Sequence, residues 1–217
     1  WKTMTTGRPG PVVLDVPFDI FKEAAASETP DPAAWSANIS SRCGADPDGV
    51  VKAVDMLQSA EKPVIVVGQG VRYGGAADEL LALAERLQIP VASSASGLGA
   101  IPVQHPLSLG LVQRGGTYQS NHACRQADVL LALGVRFDDR TSSSWIPGYS
   151  FTIPPTRLIH VDMDPEEIGR NYPVALGLMG ALIILGGCAC AARAEIAQGI
   201  ADQAEDSHAK WPDKAKV

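Results

Sequence analysis

Three short segments carry residues whose types and spacing suit ligand chemistry. The first is Gly68-x-Gly70-x-x-x-Gly74, which leaves the apolar run Val64–Val67 and opens a helical pattern. Glycines there let a backbone approach a phosphate, and a helix start offers unpaired N–H groups with partial positive charge. A tight turn without a ligand uses the same glycines. The spacing is GxGxxxG, not the GxGxxG of a dinucleotide fingerprint, and Ser93 and Ser94 stand where that fingerprint wants an acid. The second segment is Arg136-Phe137-Asp138-Asp139-Arg140, at the end of another apolar run. A guanidinium there can fork onto a phosphate or stack on a ring. A surface salt-bridge cluster has the same composition. The third is His160-Val161-Asp162-Met163-Asp164-Pro165. Asp162 suits ribose hydroxyls, Asp164 reads as a helix cap, and His160 alternates into the strand interior as a core histidine.

No catalytic constellation accompanies these segments. His105, His122 and His208 stand apart from any serine or cysteine nucleophile motif, and Cys124 falls in a helical pattern. There is no Walker loop, HExxH or nucleophile elbow. The four cysteines, Cys43, Cys124, Cys188 and Cys190, contain no CxxC, so neither a zinc site nor a secretory disulfide framework is expected. The pattern is that of a chain that holds a nucleotide, with no metal and no catalytic residue of its own.

The elements that must position these segments alternate. Asp46-Pro47 places an N-cap and a first-turn proline, and Val50, Val54 and Leu57 give one apolar face to a helix ending near Ala60. Val64–Val67 reads as a strand. Ala77, Leu80, Leu81, Ala84 and Leu87 form the stripe of the next helix, and Ile89–Ala92 is a second strand. The glycine-rich stretch 93–116 reads as loop, Thr117–Ala127 as helix, and Asp128–Gly134 as a third strand. Residues 138–156 read as a surface loop, Arg157–Asp162 as a fourth strand, 164–167 as one helical turn, Val174–Leu178 as a fifth strand and Leu182–Ile200 as helix. Near the start, Val12–Val16 reads as one extended strand between prolines, followed by a linker over 22–45. Apolar strands alternating with helices predict an α/β fold: a doubly wound, mostly parallel sheet of about five to six strands with helices on both faces, Rossmann-like and of the DHS-like NAD/FAD-binding type. On such a sheet ligands sit beyond the carboxyl ends of the strands, near the switch in strand order. The expected division is 1–45 as the end of a preceding domain and a linker, 46–205 as the central nucleotide-binding domain, and 206–217 as a C-terminal linker.

Bulk composition narrows the class. Hydrophobic residues at 46% against 19% charged allow a sizeable core. A net charge of −6 without a Lys/Arg cluster argues against nucleic acid as partner. The most apolar stretch, Val174–Ala192, lacks close basic anchors and reads as strand then helix, so no membrane span is expected. Absent a signal peptide, the expected location is the cytoplasm. The start at Trp1 leads to the expectation of a piece of a longer protein.

Taken together, KPVIVVGQGV at 62–71, IPVASSASGLGAIP at 89–102, HPLSLG at 105–110, ADVLLALGVRFDDR at 127–140 and IHVDMDPEEIGRN at 159–171 resemble, in order, the central domain of thiamine-diphosphate enzymes of the acetolactate synthase family. GRPGPVVLDVPFD at 7–19 is similar to the end of that family's first domain. The resemblance covers roughly residues 7–180 and implies a parent enzyme that decarboxylates a 2-oxo acid and passes on the two-carbon unit. It also implies a homodimer or homotetramer. In the family, thiamine diphosphate and Mg²⁺ are held by the first and third domains, through a glutamate and a GDG…N motif; no GDG occurs here. The middle domain holds FAD, ADP, an acyl-CoA or nothing. By motif, the resemblance puts Gly68, Gly70 and Val71 near nucleotide phosphates and Ser94 where a flavin-contacting threonine is usual. Arg136 and Asp138 fall on the flavin-side loop, and Asp162 by the ribose or adenine. Asp139 and Arg140 fall at the substrate cleft, with Arg140 on a substrate carboxylate.

The chain departs from the family at Val112-Gln113-Arg114-Gly115-Gly116, where a Met-rich loop with a histidine is usual. It departs also at Gly180-Ala181, in place of Gly-Asp, and over 181–192. A stand-alone FAD, ADP or CoA module, and the sulfoacetaldehyde, glyoxylate and oxalyl-CoA branches of the family, share these motifs. An NAD-linked enzyme of the deoxyhypusine synthase or sirtuin type is a further alternative.

Overall fold

A computed structural model describes residues 44–180, together with 4, 7–8, 10–24 and 31. The chain divides into two compact units, Trp1–Arg42 and Cys43–Val217. In the first, residues 10–17 form neither helix nor strand, and α1 (Phe18–Phe21) is a single turn. The strand expected at Val12–Val16 is therefore not formed. A strand needs a neighbour for its N–H and C=O groups, and Pro11 and Pro17 each lack a donor. Most of the expected linker, the helix over 182–200, the tail 206–217 and Cys43, Cys188 and Cys190 lie outside the described residues.

The second unit contains, in order, α2 (Pro47–Gln58), β1 (Pro63–Val67), α3 (Gln69–Gly74), α4 (Ala77–Leu87), β2 (Val91–Ser93), a 3-10 turn (Ala95–Gly97), β3 (Ser108–Leu111), α5 (Tyr118–Gln126), β4 (Val129–Leu133), β5 (Arg157–Asp162) and β6 (Leu176–Met179). The strands form one six-stranded sheet in the order β3-β2-β1-β4-β5-β6, and every pairing is parallel. This is the predicted α/β architecture. The strand order reverses direction between β1 and β4, which makes their carboxyl ends the switch point.

Strand periodicity splits the core in two. Ile65, Val67, Val129, Leu131, Leu133, Ile159 and Val161 pack on one face with Ala53 and Leu57 of α2 and Leu80 and Ala84 of α4. Val64, Val66, Leu130, Ala132 and Leu158 pack on the other with Ala123 and Cys124 of α5 and with Phe137 and Phe151. Each such aliphatic side chain contributes about 1.5–3 kcal/mol by leaving water, so the central strands form a firm platform. At the amino edge, the Asp128 carboxylate accepts from the N–H groups of Glu61 (2.7 Å) and Lys62 (2.9 Å), tying the start of β1 to that of β4.

Three expectations change. The stretch 93–116 contains β3, hidden in the sequence because Gly110 sits at φ +84° beside a register shift. Residues 164–167 form turns without a helix. The strand expected at Val174–Leu178 is Leu176–Met179, the last among the described residues, and only its Leu178 is fully buried.

Candidate functional site at the carboxyl edge of the sheet

The segments singled out by sequence meet at the carboxyl ends of β1, β4 and β5. Hydrogen bonds continue from strand end to strand end: Ser94 N–H to Val67 O (2.9 Å), Gly68 N–H to Leu133 O (2.9 Å), Gly134 N–H to Val161 O (2.8 Å) and Gly180 N–H to Asp162 O (3.0 Å). The glycine turn is packed directly onto the end of β4. A Cβ on Gly68 would lie 2.0 Å from the Gly134 carbonyl oxygen, and one on Gly134, at φ +58°, would lie 2.6 Å from Gly70 Cα.

These glycines are thus required by backbone packing against each other. The turn's own donors are also engaged, since Gly70 N–H points to Gly134 O (3.4 Å) and Val71 N–H to Gly68 O (3.4 Å). Val71 itself is 1% exposed in the core. The structure gives Gly68, Gly70 and Val71 a packing role, which the spacing alone left open.

Ser94 is buried beside this turn, and its hydroxyl accepts from Gly97 N–H (3.2 Å), capping the 3-10 turn.

The loop after β4 is built around Phe137. Its ring meets Phe151, His160 and Tyr172 edge-on, at centroid separations of 5.3, 5.4 and 5.3 Å. Its carbonyl accepts from Ser142 Oγ (2.8 Å), Trp145 Nε1 (3.0 Å) and Asn171 Nδ2 (3.2 Å). Its φ is +51°, a conformation unusual for an aromatic residue, and Ser143, Ser144 and Trp145 are also left-handed at 52°, 58° and 53°. Asp138 holds the turn, its Oδ1 accepting from Thr141 N–H (2.8 Å).

Asp139 and Arg140 project from this turn and are exposed; neither side chain makes a hydrogen bond or ion pair among the described residues. The turn is stitched to the loop after β3. Arg114 donates to Ser144 Oγ, and the Tyr149 hydroxyl donates to the Arg114 carbonyl (3.1 Å).

At the end of β5, His160 is 1% exposed. Gly169 N–H donates to its Nδ1 (3.4 Å), so Nε2 carries the proton and donates to Val135 O (2.8 Å). Burial lowers its pKa below the ordinary 6.5, outweighing the Val135 bond and the charges of Asp162 and Glu167, so it is a neutral core histidine. Asp162 is 8% exposed and its Oδ1 accepts from Asp164 N–H (3.0 Å); Asp164 in turn caps Glu166 N–H (3.1 Å).

Sequence reasoning missed Glu167 and Asn171. Glu167 is 4% exposed, with Oε1 3.3 Å from Arg170 and 4.0 Å from Arg136. Asn171 Nδ2 donates to the Arg136 carbonyl (3.0 Å) and so holds the end of β4 against the segment after β5. The one available signal was an acid three residues before an arginine.

Arg136, half exposed, therefore sits between the end of β4 and the segment after β5, 4.0 Å from Glu167. No three His, Cys, Asp or Glu residues gather as a metal-binding group among the described residues. No helix among them is long and apolar enough to cross a membrane.

Comparison with known proteins places this geometry. The family model for the central domain of thiamine pyrophosphate enzymes matches residues 50–194. Among relatives, a Methanocaldococcus jannaschii protein assigned as an acetolactate synthase large subunit is 39% identical over 178 residues, 81% of this chain and 29% of its own length. The Escherichia coli acetolactate synthase isozyme 3 large subunit is 36% identical over 180 residues, 81% of this chain and 30% of its own. The chain thus spans under a third of the length of these relatives. A thiamin diphosphate-dependent enzyme of Mycobacterium smegmatis superposes with a TM-score of 0.64 at 26% identity, over 85% of this chain and 34% of that one. Benzoylformate decarboxylase of Polynucleobacter necessarius shares the fold at a TM-score of 0.64 and 22% identity, over 86% of this chain and 34% of that one.

Proposed function

This chain belongs to the thiamine pyrophosphate enzyme family, whose central domain it matches, and from that premise we propose that it is the nucleotide-holding middle domain of an acetolactate synthase-like enzyme. That enzyme decarboxylates a 2-oxo acid and transfers the two-carbon unit, working as a homodimer or homotetramer in the cytoplasm. Thiamine diphosphate, with Mg²⁺, supplies the electron sink when bound by the other domains. The middle domain contributes a scaffold and one wall of the substrate cleft.

The observation that carries this reading is the meeting of the Gly68, Arg136 and Asp162 segments at one sheet edge, astride the strand-order switch. In the proposed site FAD or ADP lies along that edge. The glycine turn Gly68–Val71 forms its floor and Ser94 stands beside it. Arg136 and Asp138 meet the ring side, and Asp162 meets the ribose. Asp139 and Arg140 face the cleft, where Arg140 binds a substrate carboxylate.

Calorimetric titration of the chain with FAD, ADP, CoA and NAD tests the nucleotide half. Saturable binding of FAD or ADP is the expected outcome. Uptake of NAD alone, or of none of the four, contradicts it. For the cleft, Arg140→Ala in the full-length enzyme is expected to lower kcat/KM for the 2-oxo acid about 10- to 100-fold, the weight of a charge-assisted hydrogen bond. An unchanged kcat/KM removes Arg140 from the substrate site. The chain by itself, given thiamine diphosphate, Mg²⁺ and pyruvate, is expected to form no acetolactate.

A further inference from the structure

Arg140 is exposed, and among the described residues its side chain makes no hydrogen bond or ion pair. Where its charge stands is therefore decided by the backbone that carries it. That backbone folds back on itself: Ser142, Ser143 and Ser144 N–H donate to the carbonyls of Asp138 (2.9 Å), Arg140 (3.2 Å) and Asp139 (2.7 Å). Ser143, which bonds to Arg140, does so at φ +52°, a conformation that a residue with a Cβ holds only when its surroundings impose it.

What imposes it is buried. Ser143 and Ser150 are each 0% exposed, and their hydroxyl oxygens lie 2.7 Å apart. Ser150 Oγ is also 2.9 Å from Asn121 Oδ1 on α5, and Asn121 Nδ2 is 2.9 Å from the Gln113 carbonyl. The proton positions follow. Asn121 donates through its amide to Gln113, and its Oδ1 can only accept. Ser150 gives its one proton to that oxygen, so Ser143 donates to Ser150. Four groups from the loop after β4, from α5 and from the loop after β3 are thus joined with every donor pointing the same way. Bonds in such a row polarise one another, and removing a buried member leaves its neighbour unsatisfied.

Resting on the reading of Arg140 as the carboxylate ligand, we propose that Ser143, Ser150 and Asn121 are positioning residues. They form a buried relay that anchors the Arg140 turn to α5 and so sets where the guanidinium stands in the substrate cleft. The bonds made by Asp138, Ser142 and Trp145 fix where the turn leaves β4. The relay fixes its far side.

In the full-length enzyme, Ser143→Ala and Ser150→Ala are each expected to raise KM for the 2-oxo acid about three- to tenfold, with kcat changed less than about twofold. A misplaced carboxylate ligand weakens ground state and transition state alike. The double variant is no worse than either single one, because one broken link already opens the row. On an Arg140→Ala background, Ser143→Ala has no further effect on KM. A KM increase that persists undiminished without Arg140 overturns the proposal. Amide hydrogen exchange of the chain itself is the ligand-free arm. Ser150→Ala is expected to quicken exchange about tenfold at Ser143 and Ser144, with Leu131 in β4 unmoved. Unchanged exchange in the turn, or equal quickening in β4, overturns the anchor. An Arg140→Ala enzyme with unaltered KM overturns the cleft reading, and with it the relay's substrate role; quickened turn exchange beside that result leaves the anchor alone standing.

Discussion

Phe137 concentrates the local energetics of the site in one residue. It accepts a left-handed φ of +51° because its ring is 1% exposed among three aromatic partners and its carbonyl is bonded by three side chains. Truncation to alanine is expected to cost about 3–5 kcal/mol, as for other buried phenylalanines, read from urea unfolding; a cost under 1 kcal/mol would show that the loop does not depend on this ring. Gly68 makes a second prediction at this scale. Its missing Cβ is the space occupied by the Gly134 carbonyl, so Gly68→Ala is expected to destabilise by about 1–3 kcal/mol through overpacking. By contrast Gly75→Ala, where a Cβ meets no atom within 4 Å, suffers only the strain of φ +64°. His160 gives the pH dependence. Its folded pKa is lowered below 6.5 by burial, so its neutral form is fully compatible with the fold above that value. As pH falls from 6.5 towards the lower folded pKa, the unfolded chain takes up the proton first, and stability is lost in that window. Urea midpoints measured from pH 7.5 down to pH 5 are expected to decline across it; a flat profile would mean that His160 is solvated.

At the level of elements, the parts legible in the sequence were those with a strong period and clear punctuation. Asp46-Pro47 caps and opens α2 as predicted, with the Asp46 carboxylate accepting from Gly49 N–H at 3.0 Å. Asp46→Ala is expected to cost about 1 kcal/mol, measurable in the same unfolding experiment. The apolar runs became β1, β4 and β5 because strands covered on both faces need no alternation. β3 escaped notice since four residues with a left-handed glycine carry too little pattern, and its pairing is supplied by β2. Val12–Val16 failed the other way. Its composition is that of a strand, but among the described residues no strand pairs with it, and the element depends on such a partner. Cys124, at 0% exposed within α5, was read as packing, and burial pushes its thiol pKa well up. It is expected to resist alkylation by iodoacetamide until the chain unfolds.

For the whole molecule, strand order does what no single motif could. Gly68, Arg136 and Asp162 are far apart in sequence, and only the order β3-β2-β1-β4-β5-β6 makes their strand ends neighbours. The sequence announced each segment as a strand exit, and the resemblance to a known family arranged them. The residues that fasten them, Glu167 and Asn171, carried little signal beforehand because the partner they share, Arg136, lies beyond another strand end. The most direct test of the central claim, that these ends form one nucleotide site, is the backbone amide NMR spectrum of the chain titrated with ADP. The account predicts shifts confined to the carboxyl edge, at Gly70, Ser94, Arg136 and Asp162 together. Shifts at the amino edge, around Glu61 and Asp128, with the carboxyl edge silent, would contradict it.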